Sequence, residues 1–420
     1  MVIAEEGRKL PEGWKWVRLG EVCEVISKGT TPTTLGHNFV PEGIPFLRAE
    51  DIDGGAVEIN KIKYYIAHET HKVLSRSQLK SGDLLITIAG TLGRVGYVPC
   101  DIKELNCNQA VAFARLKKDI IDVCYTCFIC KTNEVIGPLI KQKAGGGVQN
   151  LNLQQIKQLQ IPLPPLSEQK RIAAILKEQM AAVEKAKAAA EIQLEATKAL
   201  PKAYLQEVFP QDKGRKLPEG WKWVRLGEVC DIKGGKRLPK GAEFAKNVTP
   251  YPYIRVVDFK SGTINTNGLK YITEEIRNTI SKYIITKDDI YISIAGTIGI
   301  VGTVPPELDG ANLTENAARI SIKDKEVLEK EFICLFLASP EGQAQIKERT
   351  NIVGQPKLAL ERIATIQLPI PPLPEQKRIA AFLKEKMAEA EKLRKSLEEQ
   401  LEIINKLPTA LLRRVFRGEL

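Results

Sequence analysis

Apolar residues in the second half of the chain advance by three or four positions over a long stretch: Ile379, Leu383, Met387, Ala390, Leu393, Leu397, Leu401 and Ile404. That period is the stripe of an amphipathic helix whose opposite face is charged. The same period runs through Ile172, Leu176, Val183, Ala186, Ala190 and Leu194, where alanine permits close approach of another helix. Ser167 and Pro374 are expected to open these helices, as a capping serine and a first-turn proline, with prolines punctuating both ends. Upstream of each helix the pattern changes to short β-rich runs, residues 84–89 (LLITIA) and 290–295 (IYISIA). Each ends at Gly-Thr before another glycine and reads as a strand feeding a tight loop. Trp14 and Trp16, matched by Trp221 and Trp223, sit two apart on one face of a first strand, where aromatic bulk packs the core.

The resemblance between the halves is literal. Residues 7–23 (GRKLPEGWKWVRLGEVC) return unchanged at 214–230, 207 positions later. At the same spacing PPL-S-EQKRIAA from Pro164 answers PPL-P-EQKRIAA from Pro371, and AYLQEVF at 203–209 answers ALLRRVF at 410–416. A period this long makes each repeat a domain with its own core rather than a solenoid unit. The predicted fold is α+β: two pseudo-symmetric globular α/β domains separated by a long antiparallel two-helix, coiled-coil-like spacer. Its expected divisions are residues 1–162, 163–213, 214–369 and 370–420. Two seams of similar length can bury their stripes against each other, giving a dumbbell with one globular domain at each end. A helix over residues 168–200 would span ~50 Å, or about 15 base pairs of duplex. If copy two closes back on copy one, the Leu420 end should fall near the start, with residues 1–6 a flexible lead outside the repeat.

Composition narrows the partner. Hydrophobic residues at 43% and charged residues at 27% fit a globular chain, and no run approaches the ~18 apolar residues of a membrane span. Neither a signal peptide nor a span is visible, so a cytoplasmic location without membrane contact is expected. A net charge of +11 favours a polyanion, because cationic surface releases the counterions condensed on a phosphate backbone. Cys124, Cys127 and Cys130 resemble part of a metal-binding run, but no fourth cysteine follows nearby. Phe128-Ile129-Cys130 answers Phe332-Ile333-Cys334, so a buried helix with reduced thiols is the preferred reading. His68 and His71 lack a third ligand, and Asp51, Asp53, Asp288 and Asp289 read as solvated turn acids, so no metal site is expected. There is no GxxxxGK[ST] loop and no NPPY-like element, so no catalytic residue and no cofactor are expected on this chain.

Between the repeated scaffolds the loops diverge, as readers of two unlike half-sites would. In copy one the candidates are Lys28, Thr30, Thr31, Thr33, Arg94, Gln109, Gln149 and Asn150. In copy two they are Lys233, Lys236, Arg237, Lys240, Thr297, Glu315, Gln355 and Lys357, with Ile300 where copy one has Arg94. Arg48 and Arg255 recur in both copies and are expected to hold phosphate or structure rather than choose bases. The helix-opening residues Glu168, Gln169 and Arg171, with Glu375, Gln376 and Arg378, suggest a docking surface repeated for two copies of one partner. The same residues could instead cap and align the helix pair, and both can hold.

These features together resemble the specificity subunit of a type I restriction-modification system, over essentially the whole chain. The likeness rests on the tandem plan of a recognition domain followed by a long helix, and on the PPL-x-EQKRIAA element opening each helix. It implies that each domain reads one part of a two-part site on double-stranded DNA, while the helices set the spacing and carry the partners. Two modification subunits would methylate adenine with S-adenosylmethionine, and restriction subunits would consume ATP. This chain would supply only the address. A stand-alone nucleic-acid scaffold is the alternative.

Overall fold

The computed structural model describes residues 10–141, 150–209, 217–260, 262–350 and 356–419, with Lys141 described by its backbone alone. These fall into two compact units, one of Met1–Glu191 with Glu399–Leu420 and one of Ile192–Glu398.

Unit one is built on an antiparallel four-stranded sheet in the order Cys23–Lys28, Val111–Leu116, Leu84–Thr87, Val95–Tyr97. All four residues of Leu84–Thr87 are buried because both faces of the strand are covered. Leu84 and Ile86 face a large cluster with the helix Val123–Cys130, whereas Leu85 joins Leu47, Ile52 and Phe113 in a second cluster. Alternation of side chains along a strand divides the run between two cores. A second sheet, in the order Phe39–Val40, Tyr65–Ile66, Ile44–Leu47, Asn106–Cys107, ends on a parallel pair. Lys15–Arg18 pairs with Gln160–Leu163, returning the chain beside its start before the first long helix, Leu166–Val208.

Unit two repeats the plan. Its sheet runs Cys230–Gly234, Ala317–Ile322, Ile290–Ser293, Val301–Thr303, and its closing pair is Lys222–Arg225 with Gln367–Ile370. Ile290 and Ile292 enter one core and Tyr291 the other. The second long helix is Leu373–Phe416.

The helices differ from expectation at their ends. They begin at Leu166 and Leu373, so Pro374 lies in the first turn as expected, whereas Ser167 also lies inside the helix rather than capping it, and the Pro165 and Pro372 carbonyls accept the first helical N–H bonds. Pro201 and Pro408 lie inside the helices rather than ending them. An interior proline costs about 3 kcal/mol. Burial of Leu205 and Phe209 in the core of unit two, and of Leu412 and Val415 in that of unit one, offsets this at about 1.5–3 kcal/mol per side chain. Each unit therefore takes the opening turns of one long helix and the closing turns of the other into its core. In unit one Phe416 stacks on Trp16 with ring centroids 6.4 Å apart, so the end of copy two does return to the start of copy one. Leu420 and residues 1–6 lie outside the described residues.

Candidate nucleic-acid interface

The divergent loops of unit one are joined by backbone hydrogen bonds to one central loop, Cys107 to Val111. Gly29 N–H donates to the Val111 carbonyl at 3.0 Å and Thr30 N–H to the Cys107 carbonyl at 3.0 Å. Asn108 N–H donates to the Leu47 carbonyl at 3.0 Å, tying in the segment that carries Arg48. Ile88 N–H donates to Ala110 at 2.8 Å, and Leu151 N–H donates to Ile88 at 2.9 Å. Unit two repeats every bond: Gly235 to Ala317 at 2.9 Å, Lys236 to Leu313 at 2.8 Å, Thr314 to Ile254 at 3.0 Å, Ile294 to Asn316 at 2.8 Å, Leu358 to Ile294 at 2.9 Å. Gly29 and Gly235 are required by close approach. A Cβ on Gly29 would stand 2.1 Å from the Asn108 carbonyl oxygen, and one on Gly235 2.0 Å from that of Thr314.

The structure thus ties the segments that carry most of the candidates to one central loop per unit. In unit one Lys28, Thr33, Arg94, Gln109 and Asn150 are exposed, and Thr30 and Thr31 are half-buried. In unit two Lys233, Lys236, Arg237, Lys240, Thr297 and Lys357 are exposed, and Glu315 is half-buried. Gln149 and Gln355 lie outside the described residues. The loop carrying Arg94 is pinned from below: the Thr87 hydroxyl donates to the Thr91 carbonyl and accepts from Arg94 N–H at 2.9 Å. Ser293 does the same for Thr297 and Ile300, the latter contact at 2.8 Å. Ile300 packs against the second core of its unit instead of reaching out.

Electrostatics separates the arginines. Arg255 spends Nε and Nη2 on Asp258, at 3.1 and 2.7 Å, and Nη2 also reaches the Gly268 carbonyl. It is a structural clamp and not an available reader. Arg48 lies 4.5 Å over the Tyr64 ring and 3.4 Å from Glu50. Arg237 donates through Nε to Glu315 at 2.6 Å. Burial pushes the Glu315 carboxyl up, but hydrogen bonds from Arg237, its own backbone and Thr314 outweigh it and hold it below its usual range.

The helix-opening motif divides in two. Gln169 and Gln376 are fully buried, which removes them from any docking surface. Gln169 accepts from Asp122 N–H at 2.8 Å and donates to the Ile120 and Pro164 carbonyls at 3.1 and 2.8 Å. Gln376 makes the same three bonds with Glu329, Val327 and Pro371, at 2.9, 3.0 and 2.8 Å. A two-sided amide satisfies one donor and two acceptors that burial would otherwise orphan. Sequence offered only the repetition of the glutamine as a signal. Glu168 with Arg171, and Glu375 with Arg378, remain on the surface as ion pairs at 2.7 and 3.4 Å.

Four further groups are placed. Cys127 and Cys130 are buried on a helix, where burial pushes the Cys127 thiol up to about 11. His71 is buried and bonded to Asn106, and His68 stays exposed beside Glu104. Asp288 is exposed, but Asp289 is not a solvated turn acid. It is 4% exposed and accepts from Thr286 N–H and hydroxyl at 2.8 and 2.9 Å. The tryptophans are half-buried at the margins of the cores, Trp221 meeting Phe332 edge-on at 6.3 Å.

A family described as the type I restriction modification DNA specificity domain matches this chain twice, at residues 11–194 and 218–402. The chain belongs to that family. This specificity protein is 27% identical over 392 residues to the type I restriction enzyme MjaVIII specificity subunit of Methanocaldococcus jannaschii, covering 90% of this chain and 87% of that one. It is also 27% identical over 439 residues to the EcoBI specificity subunit of Escherichia coli, at 97% and 86% coverage. A structure solved for complex assembly and conformational transition of a type I system superposes with a TM-score of 0.77 at 25% identity, over 99% of this specificity protein and 100% of that chain. The HsdS subunit of Thermoanaerobacter tengcongensis shares its fold, with a TM-score of 0.68 at 24% identity over the whole of both chains.

Proposed function

We propose that this chain is the DNA-specificity subunit of a type I restriction-modification complex and reads a two-part duplex target, one part per unit. The single observation that carries the proposal is the platform repeated bond for bond in both units, displaying Thr31, Arg94 and Gln109 in one and Arg237, Thr297 and Glu315 in the other. Base edges are told apart by side chains presenting different donors and acceptors, so a constant backbone with unlike side chains is what two half-sites require. Exposed Lys28, Lys233, Lys236 and Lys240 supply the phosphate attraction that holds the register. The long helices set the spacing between the parts.

The Glu168–Arg171 and Glu375–Arg378 pairs occur once per unit, so the docking partner binds twice, as two modification subunits. Restriction subunits complete the complex. S-adenosylmethionine and ATP belong to those partners, and this chain does no chemistry. Among the described residues no helix is long and apolar enough to cross a membrane, and the proposed site of action is cytoplasmic DNA.

Mapping methylated adenines in cells carrying the modification subunit, with and without this chain, tests the assignment. A two-part methylated motif that disappears with the chain is the expected result. An unchanged map overturns it. Charge reversal at Arg171 and Arg378 with helicity retained should weaken modification-subunit binding, and unaffected binding removes the docking assignment.

A further inference from the structure

Arg237 and Glu315 project from two loops of unit two that backbone hydrogen bonds hold together, and they form an ion pair at 2.6 Å. The second carboxylate oxygen accepts from the Thr314 hydroxyl at 3.0 Å, so the acid is anchored from behind. The arginine side chain is 79% exposed, against 28% for the glutamate. Its Nε is engaged, and among the described residues neither terminal nitrogen has a protein partner. Arg115, Arg255 and Arg319, by contrast, spend terminal nitrogens inside the fold.

A carboxylate beside this guanidinium argues against a phosphate contact, because it would repel the same phosphate that the arginine attracts. A base edge carries no net charge, so that repulsion does not arise there. Holding Nε fixes the plane and direction of the guanidinium and leaves the two terminal nitrogens side by side. That end-on pair of donors matches guanine O6 and N7, the commonest specific contact in the major groove. At the corresponding platform positions unit one carries Thr31 and Gln109, which have no charge.

We propose that Arg237, positioned by Glu315, reads a guanine in the half-site taken by unit two, and that unit one has no such reader at the equivalent place. The inference rests on the DNA-reading function above. It makes Glu315 a positioning residue rather than a contact in its own right.

The test is selection from a pool of duplexes randomised in both half-sites by the full chain, followed by sequencing of the bound fraction. The wild-type chain should enrich one invariant G·C pair in the second half-site. Both Arg237→Ala and Arg237→Lys should relax that pair alone, by roughly 10- to 100-fold in discrimination, since lysine keeps the charge but loses the fork. Glu315→Gln should relax the same pair less and leave the melting temperature unchanged. If Arg237→Ala instead weakens all sequences equally and lowers the salt dependence by about one counterion, it is a phosphate contact and the proposal is overturned. Relaxation spread over both half-sites overturns it as well. A wild-type chain that enriches no sequence would overturn the DNA-reading function itself, which separates the two failures.

Discussion

Unit one and unit two share a platform yet differ in most of the side chains it displays, Thr91 and Thr297 being the same residue. Gly29 and Gly235, and the five backbone hydrogen bonds around each, are the same in both. Thr31 against Arg237, Gln109 against Glu315 and Arg94 against Ile300 are not. Main-chain amides and carbonyls hold the loops, so the side chains carry little of the structural load and can change without unfolding the scaffold. Where a side chain does hold the scaffold, as Gln169 and Gln376 do, both units keep the same residue and the same bonds. The difference between the units therefore separates what reads from what supports.

The sharpest probe of that equivalence is the buried acid at the same strand start in each unit, Asp83 and Asp289, because Ser321 stands at the position of Arg115 and Arg319 at that of Phe113. In unit one Arg115 grips the buried Asp83 with two bonds, at 3.0 and 2.8 Å. In unit two Arg319 stands 3.7 Å from Asp289 and donates chiefly to the Ile284 carbonyl, while Ser321 and Thr286 satisfy the acid. Arg115→Met should destabilise unit one by about 3–5 kcal/mol because it leaves the buried Asp83 carboxylate with the Lys80 N–H alone. Arg319→Met should cost about 1–2 kcal/mol, since the acid keeps its hydroxyl partners. Hydrogen exchange in strands Leu84–Thr87 and Ile290–Ser293 reads each unit separately. Equal losses would show that the two pairs work alike after all.

Gln169→Ala and Gln376→Ala should each cost about 1–3 kcal/mol, and by the same amount, because each orphans a buried carbonyl and frees two part-buried backbone groups. Unequal costs by the same exchange measurement would break the equivalence of the helix docking. Gly29→Ala and Gly235→Ala should also cost about 1–3 kcal/mol, by forcing a methyl against backbone carbonyls. Their larger consequence is in recognition, because each should blur one half-site and spare the other in a selection of bound duplexes. Blurring of both by either change would deny that the platforms read independently.

The smallest expected effect is on pH dependence. Burial holds the His71 imidazole below its ordinary 6.5, against an opposing pull from Glu104 and a further lowering by His68. The unfolded chain then takes up the proton first. Stability present above about pH 6.5 is lost as pH falls through the folded value. Unit two has Arg277 in this place, donating to the buried Asn312 at 3.2 Å, and should show no such loss. Exchange rates in unit one that stay flat between pH 7 and 5 would contradict this.

Much of the architecture is legible in the sequence. The exact repeat announced two equivalent bodies, and the three-to-four spacing announced both long helices, because each is written locally along the chain. The candidate loops were found by their divergence, and the structure then joined them through carbonyls that no side-chain pattern encodes. What the sequence left open depends on contacts that side-chain patterns do not encode. Arg255 was expected to hold phosphate or structure, and its bonds to Asp258 and the Gly268 carbonyl favour structure. Asp289 looked like a turn acid until Thr286 and Ser321 closed over it. Pro201 and Pro408 looked like helix ends, since local propensity gives no sign that Leu205 and Leu412 beyond them find buried sites.

By itself the sequence determined duplication, helical period, charge and the places where the two copies disagree, all of which can be read along one dimension. Tertiary structure alone decided which of the polar side chains are spent inside the fold and which are left to meet another molecule. Hydrogen bonding and burial depend on atoms meeting within about 3 Å, and chain segments a hundred residues apart meet at that distance only once the sheets and helices have packed.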